Sequence, residues 1–289
     1  MPENYCRGTQ KAGQPMTLKD KIEIFGLTDV GLVRDHNEDS IGDNPDLGLV
    51  VLADGMGGHR GGEVASAITV STILEILADK LNNIKPGDID EASGYSLQSV
   101  AVHDAINRAN ENVFTSSHEN SQYRGMGTTV VVLLIYDDRF TVAHVGDSRL
   151  YRYRDGELEQ ITNDHSLMQE LIDRGFYSAE QAENSLNRNL VTRAVGIEES
   201  VEIDVLEDAA HSGDIYLLCS DGLTDMVEDD VIKNTIIDNN EDLEKIAAEL
   251  IRLANVSGGK DNISAILARP VKPYPATDNL FSRFYELFS

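Results

Sequence analysis

The sequence predicts an α+β domain of antiparallel sheets flanked by helices, and three observations predict it. Apolar, β-branched runs such as "LGLVVLAD", "TTVVVLLIY" and "DIYLLCSDG" read as strands. Several of these runs are joined by connections of two or three residues, too short for a crossover helix, so successive strands must run antiparallel. Helical periodicity comes in separate blocks, and strands and helices in runs rather than strict alternation give this class.

In chain order, residues 1–20 lack periodicity and carry Gly, Gln and Pro, as a loose N-terminal arm does. "KIEIFGLTDVGLV" and "LGLVVLAD" are early strands around the polar loop "RDHNEDSIGDNPD". Residues 61–81 place Val70, Ile73, Leu74, Leu77 and Leu81 at helical spacing, and 97–113 do so with Val102, Ile106, Ala109 and Val113. A meander follows: "TTVVVLLIY", "FTVAHVG", "RLYRYR" and "ELEQIT", turning at "DDR", "DS" and "DG". Residues 165–190 are polar and weakly patterned, as a lid or flap insertion would be. "DIYLLCSDG" is a strand, 241–254 a helix through Leu243, Ile246, Ala247, Leu250 and Ala254, and "NISAILAR" a last strand. The domain spans 21–270, and 271–289 form a Pro-punctuated linker and an amphipathic helix with Leu280, Phe281, Phe284, Leu287 and Phe288 on one face. That helix either packs on its own domain or docks on a partner.

The 289 residues are 41% hydrophobic, enough for a substantial core. Fifty acidic against 24 basic residues give a net charge of −26, which repels nucleic acid and anionic membranes and favours cations. The two cysteines, Cys6 and Cys219, lack zinc or disulfide spacing, and the N-terminus has no apolar signal region, so a cytoplasmic location is expected. The longest apolar run, around 129–136, is far short of the roughly 20 residues a spanning helix needs, so no transmembrane segment is expected.

The informative residues are acids at strand ends. Asp54 follows "LVVLA", Asp147 follows "TVAHVG", Asp221 follows "YLLCS" one helical turn before Asp225, and Asp261 precedes "NISAILA"; Glu38 and Asp39 lie in the first polar loop. A single Asp-Gly after a strand is ordinarily a turn, as at Asp155-Gly156. If the strand ends gather at one edge, these seven carboxylates converge, and like charges at close range need divalent cations. Oxygen-only ligands select Mg²⁺ or Mn²⁺, and the absence of Cys and His pairs at ligand spacing argues against zinc. Gly55, lacking a side chain, lets its carbonyl approach an ion.

"RDHNEDS", "ADGMGGHRGGEVAS", "GMGTTVVV", "AHVGDSRLYR", "NDHS", "LVTRAVG", "LCSDGLTD" and "GGKDNISAIL", in that order over residues 22–270, resemble the motifs of the metal-dependent type 2C Ser/Thr protein phosphatases. The resemblance implies a sandwich of two antiparallel β-sheets flanked on both outer faces by helices, four layers with the metal centre at one end. It implies that Asp54 bridges two ions, that Gly55 and Glu38 hold one, and that Asp221 and Asp261 hold the other. Asp39 acts through metal-bound water, and Asp147 and Asp225, with Asp221, form a weaker third site. Arg34 matches the arginine that grips the substrate phosphate in a bidentate fork. A hydroxide bridging the ions attacks phosphorus in line, opposite the Ser or Thr oxygen. Where some members carry a histidine proton donor two residues after the bridging aspartate, this chain has Met56, in the bacterial-like form "DGMGGH"; His59 is the nearest imidazole and the candidate acid, or else a loop residue. His36 has a weaker claim.

The expected partners are phosphorylated proteins, opposing a Ser/Thr kinase, and the expected state is a monomer. Thr128 and Thr129 are expected to start a strand, and Asn262 to order the loop behind Asp261. Rival readings fail on single residues. A dinucleotide loop needs glycine where Arg60 stands, a P-loop needs Ser or Thr where Asp261 stands, and Cys219 lacks the arginine that a cysteine-based phosphatase requires. The alternative from another class is a catalytically silent relative that binds phosphoproteins as a scaffold, whose signature is the loss of metal acids; none is lost.

Overall fold

The computed structural model describes residues 20–58, 60–85, 87–177, 190–239 and 241–272. The N-terminal arm (but for Asp20), His59 and nearly all of the C-terminal linker and helix lie outside these residues. One sheet has the order β1 (Ile22–Asp29), β11 (Ile263–Pro270), β10 (Ile215–Cys219), β7 (Arg149–Arg154), β8 (Glu157–Gln160). The other has the order β2 (Asp39–Asn44), β3 (Leu49–Met56), β5 (Val130–Tyr136), β6 (Arg139–Val145), β9 (Asp204–Ala209), with the short β4 (Gly127–Thr128) on the end of β3. Every strand pair is antiparallel.

The central strands β3, β5, β6, β10 and β11 are largely apolar because both their faces are covered. Successive side chains alternate between faces. Val50, Leu52, Val131 and Leu133 point between the sheets, where they meet Leu150, Tyr216, Leu218 and Ile266. Val51, Ala53, Val130 and Val132 point outward against Ile73 and Leu77 of α1 (Gly61–Lys80) and Ile106 and Ala109 of α2 (Leu97–Glu119). On the far side Leu217, Ala265 and Leu267 pack on α5 (Asp229–Asp238) and α6 (Leu243–Val256) through Ile232, Ile246 and Leu250. Helix, sheet, sheet, helix is the expected four-layer sandwich. Leu52, fully buried between the sheets, illustrates the packing energy: truncation of such a residue to Ala costs about 2–5 kcal/mol.

Helix ends follow local chemistry. Ser96 caps α2, its Oγ accepting from Ser99 N at 3.1 Å, and Asp242 caps α6 by accepting from Lys245 N at 3.2 Å. Asp155-Gly156, with φ of 51° and 82°, is the two-residue turn of the β7–β8 hairpin.

One expectation needs correction, and three elements were not foreseen. The meander does not run on through "DS": β6 pairs with β5 and β9, while β7 pairs with β10 and β8, so the chain crosses from one sheet to the other at Gly146–Ser148. A short connection after a strand can pass over the end of a sandwich as readily as it can make a hairpin. The weakly patterned stretch 165–190 opens with a helix, α3 (Leu167–Asp173), capped by Ser166; residues 178–189 lie outside the described ones. β9 and α5 were not expected, since "DVLEDA" is acidic and half-exposed and "DDVIKNTIID" is rich in β-branched residues.

Candidate metal centre

Antiparallel pairing brings the start of one strand beside the end of the next, so acids at both kinds of end meet at one edge. Asp39 opens β2 directly opposite Asp54 near the end of β3. Asp221 follows β10, while Asp261 precedes β11, its partner. The sheet crossing after β6 brings Asp147 to the same end. A cavity of about 390 Å³ there is lined by Arg34, Glu38, Asp54, Gly55, Thr129, Asp147, Val191, Asp221, Asp261 and Asn262, together with Met56 and Gly57. Six of the predicted site residues and Gly55 thus share one cavity. Asp39 and Asp225 do not line it: Asp39 lies buried behind Asp54, and Asp225 lies one turn beyond Asp221 on α4 (Asp221–Thr224), its amide bonded to Asp221 O at 2.7 Å.

The electrostatics are those of carboxylates without enough countercharge. Desolvation, followed by the charges of Asp39, Asp221, Asp147 and Asp261, holds the Asp54 carboxyl well above the usual range. Asp221 is raised likewise, by desolvation and then by Asp147, Asp261, Asp225 and Asp39. Burial pushes Asp147 up to about 6, with Asp164 adding to it. Burial also pushes Asp39 up to about 6, against hydrogen bonds from Ser264 and Ser220. Among the described residues, Arg34 is the one cation lining the cavity; its Nη2 donates to Asp261 Oδ2 at 2.6 Å.

The backbone is held by side chains that the sequence only partly announces. Thr128 Oγ1 and Thr129 N donate to Asp54 O at 2.7 and 2.8 Å, and Asp54 N donates to Thr129 Oγ1 at 3.0 Å. The two threonines do not start the strand as expected: Thr128 ends β4 and Thr129 precedes β5, and together they clamp Asp54. Asn262 does more than order its own loop: its Nδ2 donates to Val30 O and His36 O at 3.0 Å each, and its Oδ1 accepts from Glu38 N at 2.8 Å. Both ends of the Arg34 loop are tied to it. Gly55 is required by backbone contact, since a Cβ there would lie 2.1 Å from Gly62 O. Ser220 and Ser264, which the sequence reading missed, donate to Asp39 Oδ2 at 2.8 and 2.7 Å. A serine inside the apolar strand "NISAILAR" was their only signal.

The donor set suits a hard divalent ion. All candidate ligands are oxygens. Asp39 Oδ1 is buried with no hydrogen-bond partner, an arrangement that a nearby cation or its water would satisfy.

Residues 33–268 match the family model described as protein phosphatase 2C. The chain belongs to the protein phosphatase 2C family. It is a metal-dependent serine/threonine protein phosphatase. The chain is 36% identical over 243 residues to the serine/threonine phosphatase stp of Listeria monocytogenes, covering 83% of this phosphatase and 92% of that one. It is 34% identical over 253 residues to the protein phosphatase PhpP of Streptococcus pneumoniae, covering 85% and 96%. The crystal structure of the Mycobacterium tuberculosis phosphatase PstP/Ppp superposes with a TM-score of 0.77 at 35% identity, covering 86% of this chain and 98% of that one. A structure of the PstP catalytic domain in complex with two manganese ions gives 0.75 at 34% identity, over 87% and 99%.

One cluster in the phosphatase competes with the carboxylates on distance alone. His144, His165 and Asp204 bring one ligand atom each within 4.8 Å of one another. Sequence spacing hid this pair of histidines, since they sit on different elements. Hydrogen bonding assigns them another role. Gly146 N donates to His165 Nδ1 at 3.2 Å, and His165 Nε2 lies 3.4 Å from Asp204 Oδ2. Arg193 Nη1 already fills the space, 3.3 Å from His165 Nε2 and 2.9 Å from Asp204 Oδ1. Burial holds both imidazoles below their ordinary value, that is, neutral. The cluster braces the Gly146–Asp147 turn, and the acids of the cavity are the metal ligands that the chemistry favours.

Proposed function

We propose that this phosphatase releases phosphate from phosphoserine and phosphothreonine in proteins, using two Mg²⁺ or Mn²⁺ ions held by Glu38, Asp54, Gly55, Asp221 and Asp261. Asp147 and Asp225, with Asp221, are proposed for a third, weaker ion. The observation that carries this reading is the cavity itself: desolvated carboxylates raised by their mutual repulsion, with Arg34 at the rim. Bound ions of this kind lower the pKa of water towards neutrality and so supply a nucleophile at pH 7.

The chain's own residues do the rest. Asp54, clamped by Thr128 and Thr129, presents its carboxylate from a rigid strand rather than a loop. Arg34 offers a planar fork for two phosphate oxygens and offsets charge that grows on them during transfer. Its exchange from Asp261 to phosphate is short, because it sits on the cavity lining already. Asp39, opposite Asp54 and fixed by Ser220 and Ser264 through Oδ2, keeps Oδ1 as an acceptor for the water of a bound ion. His36 Nε2 lies 3.3 Å from Glu38 Oε1 and steadies that carboxylate. His59 is kept as the proposed proton donor to the leaving oxygen.

Residues 21–270 are proposed as the catalytic unit. No described helix is long and apolar enough to cross a membrane; a cytoplasmic monomer acting against a Ser/Thr kinase is the cellular setting we propose. The test is hydrolysis of a phosphothreonine peptide with Mn²⁺, with and without chelator. Metal-dependent turnover that Asp54→Asn reduces at least about a hundredfold is expected, since removing one ligand of a two-ion centre disorders both ions. Chelator-resistant turnover would sink the reading.

A further inference from the structure

The loop that leads into Arg34 carries exposed aliphatic side chains. Leu32 and Val33, which immediately precede Arg34, are 70% and 65% exposed, and Val256, the last residue of α6, is 73% exposed. The loop that carries the first two is rigid from below. Leu32 N donates to Gly259 O at 2.7 Å. A Cβ on Gly31, at φ 77°, would lie 2.2 Å from Asp261 O, and one on Gly259, at φ 49°, would lie 2.9 Å from Leu32 N. Loops 30–34 and 258–261 therefore lie backbone against backbone, and the aliphatic side chains are held outward. Large aliphatic side chains exposed on two loops whose backbones touch, beside a functional cavity, are what a binding site offers.

We propose that Leu32, Val33 and Val256 form a docking surface for the substrate chain, taking an aliphatic side chain within about two residues of the phosphorylated Ser or Thr. The proposal rests on the reading of Arg34 as the phosphate-binding arginine. Continuity selects this occupant. One peptide unit, about 3.8 Å, separates Val33 from Arg34, and an extended chain advances about 3.3 Å per residue, so a phosphopeptide engaged by Arg34 passes over these side chains. Charge selects it further: on a protein of net charge −26, peptides carrying basic residues beyond the aliphatic one are attracted, and a second copy of the chain is repelled.

The test uses the full chain with Mn²⁺ and two phosphothreonine peptides that differ only in having Leu or Ser beside the phosphorylated residue. Wild type is expected to favour the Leu peptide about tenfold in kcat/KM, and Leu32→Ser/Val33→Ser to level the two while leaving hydrolysis of p-nitrophenyl phosphate unchanged. Both substitutions are on exposed side chains, and the shared backbone contact is kept. The same preference read as Kd by fluorescence anisotropy needs no turnover. A protein that hydrolyses neither peptide nor p-nitrophenyl phosphate would refute the phosphatase reading, while anisotropy still decides the docking surface. Equal affinity of wild type for the two peptides, or a preference that survives the double substitution, overturns the proposal. So does a wild-type dimer that the double variant dissociates, which would make the patch a contact between copies. A peptide preference that appears only in Phe281→Ser/Phe284→Ser would likewise overturn it and place the chain's own tail on the patch.

Discussion

Asp39 and Asp54 are cross-strand partners, directly opposite in the β2–β3 ladder. Two carboxylates in that relationship repel, and here both are desolvated. The pair therefore costs the metal-free protein stability. Asp54→Asn removes one charge and offers an amide donor to Asp39 Oδ1, the buried oxygen without a partner. In EDTA the variant is expected to melt higher than wild type by several degrees, at about 2–4 °C per kcal/mol for a domain of this size. With Mn²⁺ its turnover should be at least about a hundredfold lower. Higher stability together with lost activity, by calorimetry and phosphate release, is the combination to look for.

Arg34 spends its charge on Asp261 in this structure. Arg34→Ala is expected to lower kcat/KM for a phosphopeptide about 10- to 100-fold through loss of a charge-assisted fork. The same change should tighten Mn²⁺ binding in calorimetric titration, because Asp261 loses a competing cation. Arg34→Lys should recover the substrate defect only in part, since an ammonium cannot contact two oxygens in a plane.

Asp39 and Asp147 are each pushed up to about 6, from an ordinary value near 4. A carboxyl raised in the folded state binds its proton more tightly folded than unfolded. Its contribution to stability is full below the unfolded value and is lost as pH rises through about 6. Asp147→Asn, which mimics the protonated form, should match wild type near pH 4 in EDTA. At pH 7.5 it should be more stable by about 2 kcal/mol. Urea melts at the two pH values give the comparison, and Mn²⁺ at pH 7.5 should erase the wild-type deficit.

Asp214 offers a control for stability without function. It is 2% exposed and accepts from Arg154 Nε and Nη2 at 2.7 and 2.6 Å, from Tyr216 Oη at 2.9 Å and from His211 N at 2.7 Å. Burial opposes its ionisation, yet these donors, Arg154 foremost, hold its carboxyl below the usual range. It precedes β10 at the end opposite Asp221. Asp214→Ala should cost about 3 kcal/mol by stranding Arg154 and the other donors, with kcat/KM unchanged in assays below the new melting temperature.

The layered fold was legible because its strands are covered on both faces, which leaves long apolar runs such as Leu49–Ala53 and Val130–Ile135. β9 was not, since its outer edge is solvated and Asp204, Glu207 and Asp208 break the pattern. The cavity acids were legible because each sits where an apolar run stops. What the sequence hides is which turns cross between sheets: "GDS" looks like a hairpin, yet it carries Asp147 over the end of the sandwich. Ser220 and Ser264 were hidden too, because a serine announces neither its rotamer nor a carboxylate folded against it. His144 and His165 stack with ring centroids 4.6 Å apart, although nothing in their spacing along the chain brings them together.

The central claim is that the carboxylates gathered at the sheet edge hold a pair of divalent ions. Crystals grown with manganese and measured at the metal's absorption edge test it most directly. Two anomalous peaks are expected in the cavity, each at about 2.1 Å from oxygens of Asp54 and its neighbours, and both should vanish in Asp54→Asn. A protein that turns over phosphothreonine peptide with no anomalous density among Glu38, Asp54, Asp221 and Asp261 would contradict the account.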